Sequence, residues 1–249
     1  MSERSETSIV ESWLAKGTPF RAAGVGSRVW SSGEGPVVLC VHGVPSSSYM
    51  YRKVLSELAG RGVRGVALDL PGLGAAERPR DFDYRWLALA KWLNAALDEI
   101  GIDRAHFVVH DIGGPISFEA LRLAPGRARS ITALDTIARP SRFRRAPAAR
   151  LLARPLLGRV ALAATGERQL QRALRRDCIA GPVPSEEVRT YHGLLKRGDG
   201  GRAWLQVIRG FELTRDFEER IAAHLREHPY PAQVLWGRSR SLDASRATG

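Results

Sequence analysis

Hydrophobic positions along the chain fall into two alternating patterns. Short, nearly continuous apolar runs bounded by turn residues predict buried strands, and apolar residues at intervals of three or four predict amphipathic helices. The predicted strands span residues 27–31, 37–41, 65–70, 107–109, 130–135 and 233–237. The predicted helices span residues 8–15, 49–60 and 84–100, and a fourth begins at Ile116. Because strand, helix and strand follow one another, we expect an α/β fold whose mostly parallel sheet is flanked by helices.

The alternation ends near residue 138, and the pattern that follows is helical. Residues 138–228 are rich in arginine, leucine and alanine, with prolines at 140, 147, 155, 182 and 184 as punctuation. We therefore predict three parts. These are the first part of a core α/β domain over residues 1–137, an inserted helical cap over 138–228, and a remnant of the C-terminal core over 229–249.

Composition limits the class of protein. A chain of 249 residues with 44% hydrophobic content can bury a substantial core. No apolar run approaches membrane-spanning length, and the polar, acid-containing N-terminus does not resemble a secretory signal. The two cysteines, Cys40 and Cys178, suit a reducing compartment and lack metal-ligand spacing. We expect a cytoplasmic protein with no membrane partner, no metal and no cofactor.

The positive charge is concentrated in one segment. Residues 139–176 hold eleven arginines and one acid, Glu167, and so contribute +10 of the formal net charge of +12. A polyanion or an anionic membrane is one explanation. Arginines solvated on the outer faces of helices are the other, and we prefer it because no nucleic-acid-binding motif accompanies the charge. We therefore predict no nucleic-acid partner.

A polar residue interrupts the most apolar strand at a sharp corner. Residues 107–114 read Phe-Val-Val-His-Asp-Ile-Gly-Gly, so that Asp111 follows a buried strand and two glycines precede a helix. In a nucleophile elbow, small flanking residues permit a tight turn that lifts the central side chain above the sheet. The sequence predicts such an elbow with Asp111 at its tip. The alternative is that Asp111 caps the helix that follows.

The corner and an upstream loop together carry a resemblance to a known family. His-Asp-Ile-Gly-Gly at 110–114, with His-Gly-Val-Pro at 42–45, resembles the haloalkane dehalogenase and epoxide hydrolase branch of the α/β-hydrolases. The resemblance extends from about residue 20 to residue 237 and implies an α/β-hydrolase fold with a helical cap. It also implies that Asp111 is the nucleophile, which forms an alkyl ester, and that the backbone amides of Val44 and Ile112 stabilise the oxyanion.

The resemblance leaves the substrate class open. It implies a small apolar organic substrate, either a halide or an epoxide. Dehalogenases of this branch hold the halide with a tryptophan after the nucleophile and often with a polar side chain after His-Gly, but this chain has Ile112 and Val44 there. Epoxide hydrolases use a pair of cap tyrosines, and the predicted cap has one, Tyr191. We take Tyr191 as a substrate-pocket candidate, with ordinary packing as the alternative. The sequence does not reveal the oligomeric state.

The final part of the family pattern is not found in this chain. The family has an acid soon after Trp-Gly and then a late catalytic histidine, whereas Arg240 occupies the acid position and no histidine follows. The resemblance therefore implies a truncated or frame-shifted end and impaired turnover. Asp135, at the end of the strand after the elbow helix, is a candidate orienting acid or a simple strand-end aspartate, and Asp243 is a weaker candidate.

Three functions remain open at this point. The first is a haloalkane dehalogenase-like hydrolase with an aspartate nucleophile, impaired by loss of the catalytic histidine. The second is an epoxide hydrolase-like activity, and the third is a catalytically inactive remnant that binds a ligand. Whether the chain is an active enzyme is not decided by the sequence.

Overall fold

A seven-stranded sheet forms the centre of the molecule. The computed structural model describes residues 3–177 and 181–237. Within these residues the strand order is β1-β2-β4-β3-β5-β6-β7. The strands are β1 (Thr18–Ala22), β2 (Val25–Ser32), β3 (Val37–Val41), β4 (Arg64–Leu68), β5 (Ala105–Asp111), β6 (Ala128–Thr136) and β7 (Ala232–Leu235).

Helices connect the strands and form the segment between β6 and β7. The helices before β6 are α1 (Glu3–Lys16), α2 (Arg52–Ala59), α3 (Trp86–Glu99) and α4 (Gly113–Leu123). Those after it are α5 (Pro147–Ala153), α6 (Pro155–Ala164), α7 (Glu167–Asp177), α8 (Ser185–Lys196), α9 (Arg202–Arg209) and α10 (Arg215–Glu227). None of the helices in the described ranges has both the length and the apolarity needed to cross a membrane.

The sheet is parallel from β4 to β7 and antiparallel at the other edge. β3 pairs in parallel with β4 and β5, and β6 pairs in parallel with β5 and β7. β2 pairs antiparallel with β1 and β4. The predicted α/β fold with a mostly parallel sheet is confirmed. The sequence analysis did not predict β1, and β2 and β3 do not pair because β4 lies between them.

The central strands are buried on both faces, which explains their continuous apolar sequences. Leu39 and Phe107 pack in the same cluster as Trp86 of α3. On the other face Cys40 packs with Tyr51. Burial raises the pKa of the Cys40 thiol to about 12, so this cysteine remains protonated and unreactive. The second cysteine, Cys178, lies outside the described residues.

The last helix of the helical segment packs against the core. Phe217 of α10 lies with its ring centroid 5.2 Å from that of Trp86 on α3. Arg220 of α10 pairs at 3.4 Å with Glu119 of α4, whose side chain is fully buried. α10 is thus anchored on the helices that cover the sheet, and the predicted division between cap and core at residue 228 stays a prediction.

Candidate active site

Asp111 lies at the junction of β5 and α4 in a backbone conformation that forms a sharp corner. Its φ of +50° is in the left-handed region, which residues other than glycine rarely adopt. Thr136 of the neighbouring strand holds this corner, because its Oγ1 donates a hydrogen bond of 2.6 Å to the carbonyl oxygen of Asp111. The N-cap residue of α4 is Ile112, with no side-chain capping bond. The structure thus places Asp111 at a sharp strand-to-helix corner, and the choice between a nucleophile elbow and a helix cap stays a prediction.

Glycines allow three chain segments to meet around the elbow. A Cβ on Gly113 would lie 2.5 Å from the carbonyl oxygen of Val41, and one on Gly114 would overlap the side chain of Thr136. A Cβ on Gly43 would lie 2.6 Å from Oδ2 of Asp111. Positions 113 and 114 therefore need glycine for the turn, and position 43 needs it for the approach of the upstream loop.

Backbone N–H groups are positioned to stabilise negative charge on the Asp111 carboxyl group. The amide of Val44 donates to Oδ2 of Asp111 over 2.9 Å. Ile112 is the N-cap residue of α4, an 11-residue helix whose N-terminal end carries a partial positive charge. The structure thus brings Val44 and Ile112, the two predicted oxyanion donors, to the predicted nucleophile. The assignment of their roles stays a prediction.

A buried His-Asp pair supports the loop that contains Val44. Oδ1 of Asp69 accepts from the amide of Ser48 at 2.6 Å, and Oδ2 accepts from the amide of Ala75 at 2.7 Å. Nε2 of His42 accepts from the amide of Leu70 at 3.1 Å and lies 3.6 Å from Oδ1 of Asp69. Burial lowers the pKa of His42, and the nearby Asp69 opposes this only in part. His42 is therefore a neutral acceptor that joins two loops.

The other two predicted site residues in the described ranges are Asp135 and Tyr191. Asp135 is exposed, has a φ of +42°, and forms a bulge where β6 loses register with the end of β5, beside Asp111. Tyr191 of α8 stacks edge-on against Tyr49, with ring centroids 5.5 Å apart, and burial raises the pKa of its phenol. The roles of Asp135 and Tyr191 stay predictions, and Asp243 lies outside the described residues.

Two of the other histidines are held by local contacts, and a third, His110, lies beside the candidate nucleophile. Nδ1 of His106 lies 2.8 Å from Oγ of Ser130 on the neighbouring strand. Nε2 of His192 lies 3.3 Å from the carbonyl oxygen of Thr165. His110 directly precedes the nucleophile candidate on β5, and its Nδ1 is buried with no hydrogen-bond partner among the described residues.

The last two histidines lie at the far end of α4. The rings of His224 and His228 stack with centroids 4.7 Å apart. The hydroxyl of Tyr230 contacts both Nε2 of His224 and the carbonyl oxygen of Pro125, which follows α4. The 11 residues of α4 correspond to about 16 Å of helix between this end and Asp111. His224 is buried rather than exposed, and this position rules it out as the general base at the elbow.

Two structural supports of the site were not identified from the sequence. The sequence analysis predicted no role for Asp69 or Thr136. An acid immediately after a buried strand was the available signal for Asp69. For Thr136 there was none, because its contact depends on the register of β5 and β6. Within residues 3–177 and 181–237, no three His, Cys, Asp or Glu side chains are grouped to hold a metal ion.

Comparisons with known proteins agree with this fold. The alpha/beta hydrolase fold family matches residues 36–238, and the chain belongs to this family. It is 32% identical over 136 residues to bifunctional epoxide hydrolase 2 of Sus scrofa. The aligned residues cover 54% of this chain and 24% of the relative. It is 33% identical over 115 residues to a haloalkane dehalogenase of Psychrobacter cryohalolentis, which covers 44% of this chain and 38% of the relative. The matched part is thus well under half of each relative.

Solved structures share the fold over most of the chain. The haloalkane dehalogenase DbeA from Bradyrhizobium elkani USDA94 superposes with a TM-score of 0.75 at 23% identity, over 89% of this chain and 80% of that one. The epoxide hydrolase CorEH superposes with a TM-score of 0.75 at 19% identity, over 89% and 82%. The predicted α/β-hydrolase family is therefore confirmed, and so is the predicted similarity to haloalkane dehalogenases and epoxide hydrolases.

Proposed function

We propose that Asp111 attacks a carbon of a small apolar halide or epoxide and becomes an alkyl ester. This step is the first half of a hydrolase reaction. One oxygen of Asp111 forms a bond to an sp³ carbon, and the bond from that carbon to the halide or to the epoxide oxygen breaks. The leaving halide departs as the anion. The leaving epoxide oxygen stays in the product and takes up a proton.

The contact between Val44 and Asp111 is the observation that carries the proposal. A structural aspartate on an exposed turn does not require a loop 67 residues away to approach through a glycine and donate a backbone amide to it. The same amide would stabilise the oxyanion when water attacks the ester carbonyl, and donors of this kind are worth about 2.7–4 kcal/mol each.

We also propose that the described residues hydrolyse the ester more slowly than they form it. Its hydrolysis needs a base that activates water next to the Asp111 carbonyl. His42 is buried and accepts from the Leu70 amide, and His224 lies beyond the other end of α4. Beside Asp111, His110 has a buried Nδ1 and Asp135 is exposed on the bulge, and neither forms a hydrogen bond with the Asp111 carboxyl group within the described residues. We therefore expect the ester to form faster than the described residues hydrolyse it, so that an adduct can be detected.

Haloalkane dehalogenase-like chemistry is the first candidate and epoxide opening the second. A halide ion leaves without a proton, so backbone amides alone can assist it. Epoxide opening requires a proton donor, and Tyr191, the candidate in α8, is engaged in packing against Tyr49. The chemistry of the elbow thus favours the halide, although Ile112 and Val44 offer no side-chain donor to hold it.

Intact-mass spectrometry of the chain after incubation with a primary alkyl iodide or a terminal epoxide tests the proposal. We expect the mass to rise by the alkyl group minus one proton with the iodide, or by the whole epoxide, and peptide mapping to locate the addition on Asp111. Asp111→Asn should remove the adduct, and Asp103→Asn, at an exposed position, should keep it. No adduct from either reagent would favour the ligand-binding remnant. Continuous release of product would contradict the accumulation of the ester.

A further inference from the structure

A cavity separate from the Asp111 corner lies between the loop after β4 and two parts of the helical segment. Its volume is about 620 Å³, within the range of small-molecule sites. The loop after β4, helix α6 and the loop from residue 197 into α9 form its walls. The lining does not include Val44, Asp111 or Ile112. The cavity therefore has its own chemistry and is not an extension of the candidate active site.

Arginine dominates the charged lining of this cavity. Two acids, Glu77 and Asp199, face five arginines, a net charge of +3. The five are Arg78, Arg80, Arg159, Arg197 and Arg202. They come from three separate parts of the chain, residues 78–80, 159 and 197–202, so neighbours in sequence do not explain the whole cluster.

Both acids are already committed to other groups. Oδ1 of Asp199 accepts from Arg78 at 3.0 Å and from the Gly201 amide at 2.9 Å. Its Oδ2 accepts from the Ala203 amide at 2.8 Å. Asp199 is thus an internal counterion for Arg78 and caps the start of α9. Glu77 binds Arg21 and the amide of Gly26, outside the arginine cluster.

Three of the remaining arginines form no ion pair within the described residues, whereas Nη2 of Arg202 lies 3.6 Å from Oδ2 of Asp199. Arg80 and Arg159 are exposed, and neither forms an ion pair within the described residues. Arg197 makes only a long contact of 3.4 Å to the carbonyl oxygen of Ala75. Arg78 is held rigidly by four hydrogen bonds, yet its buried Nε has no partner in the described part of the chain. Arg78 thus supplies a positive charge that is held in place, and Arg80, Arg159 and Arg197 add exposed positive charges around the cavity.

We propose that this cavity binds a small polyvalent oxyanion, of the phosphate or carboxylate class. Guanidinium groups recognise such anions through paired, charge-assisted hydrogen bonds. The net charge of +3 matches an anion with two to four negative charges better than a monovalent one. A bound anion would contact the loop of Arg80, helix α6 through Arg159, and the loop of Arg197 together, and would stabilise their arrangement.

Calorimetric titration of the 249-residue chain with pyrophosphate, and separately with citrate, tests this proposal at constant ionic strength. We expect saturable binding of one anion per chain, with acetate binding at least tenfold more weakly. The stronger of the two probes identifies the anion class. Asp111→Asn should bind the probe as the unsubstituted chain does, because the elbow does not line the cavity.

A matched pair of double variants separates a built site from general surface charge. Arg80→Gln with Arg159→Gln removes two exposed cavity arginines, and Arg61→Gln with Arg104→Gln removes two exposed arginines elsewhere. We expect about tenfold or greater weakening in the first and less than about twofold in the second. Circular dichroism checks that both fold, and the single variant Arg80→Gln replaces the first if it does not. Equal weakening in both, or no saturable binding of either probe, would overturn the proposal.

Discussion

The backbone amide of Val44, in the loop after β3, donates to the carboxylate of Asp111, the last residue of β5, over 2.9 Å. Gly43 permits this contact, since a Cβ there would lie 2.6 Å from Oδ2 of Asp111. Two segments of backbone thus approach each other because one residue between them has no side chain. The proposed chemistry depends on this approach.

Gly43→Ala is expected to slow alkylation of Asp111 about 100-fold. The added methyl must displace either the carboxylate or the Val44 amide, and a shift of about 1 Å in a reacting group costs on this order. The rate of adduct formation with an alkyl iodide, followed by intact mass, measures the effect. Gly126→Ala is the control, because a Cβ there meets nothing within 4 Å. Equal rates for the two variants would contradict the role of position 43.

Thr136→Val is expected to lower the free energy of unfolding by about 1 kcal/mol and to slow alkylation. The substitution keeps the shape but removes the hydroxyl that donates to the Asp111 carbonyl at 2.6 Å. The other donor to that oxygen, the amide of Ile137, is longer at 3.4 Å. Urea denaturation and the alkylation rate measure the two effects.

Two variants on the same strand control this experiment. Thr136→Ser keeps the donor and should react at nearly the original rate. Thr132→Val, at a half-buried position of β6, should leave the rate unchanged. If Thr136→Ser is as slow as Thr136→Val, packing rather than the hydrogen bond supports the elbow.

The sequence predicts the parts of this site that follow from local pattern. Asp111, Val44 and Ile112 were found because a short apolar strand, a polar tip and two glycines are adjacent in the chain, and the family resemblance supplied the upstream loop. The structure brings these residues together as expected. Strands β3 to β6 were also predictable, since burial on both faces leaves a continuous apolar run.

Features that depend on distant pairing were not predictable. β1 is an edge strand whose one large apolar residue is Phe20, and its pairing with β2 gives no local signal. The sequence shows that arginines are concentrated in residues 139–176, yet Arg159 is the one arginine of that segment that lines the cavity. The other four come from two loops and α9, and only the fold reveals that they are neighbours.

Acidification below pH 6.5 is expected to destabilise the chain through His42. Burial lowers the folded-state pKa of His42 below its ordinary value of 6.5. The unfolded chain therefore binds a proton that the folded chain does not, and the free energy of unfolding falls as pH falls below 6.5. Above that value both states are neutral at this position and the effect vanishes. Urea denaturation between pH 7.5 and 5 measures the slope.

Substitution of the histidine should flatten that pH dependence. In His42→Gln, the slope of unfolding free energy against pH is expected to fall by up to about 1.4 kcal/mol per pH unit. This is the contribution of one proton that the unfolded chain binds and the folded chain does not. Part of the slope should remain, because burial also lowers the pKa of His224. An unchanged slope in His42→Gln would show that His42 does not remain neutral in the folded chain.

Asp199→Asn is expected to lower the free energy of unfolding by about 3 kcal/mol. The substitution leaves Arg78, whose side chain is only 7% exposed, without its counterion at 3.0 Å, and breaking a buried pair from one side costs on this order. It also weakens the acceptor for the Gly201 and Ala203 amides at the start of α9. Asp103→Asn at an exposed position should change stability by less than about 0.5 kcal/mol. The double variant Asp199→Asn with Arg78→Met should recover part of this loss, because it removes the uncompensated charge. If the loss of unfolding free energy in the double variant equals the sum of the losses in the two single variants, the two side chains are not coupled.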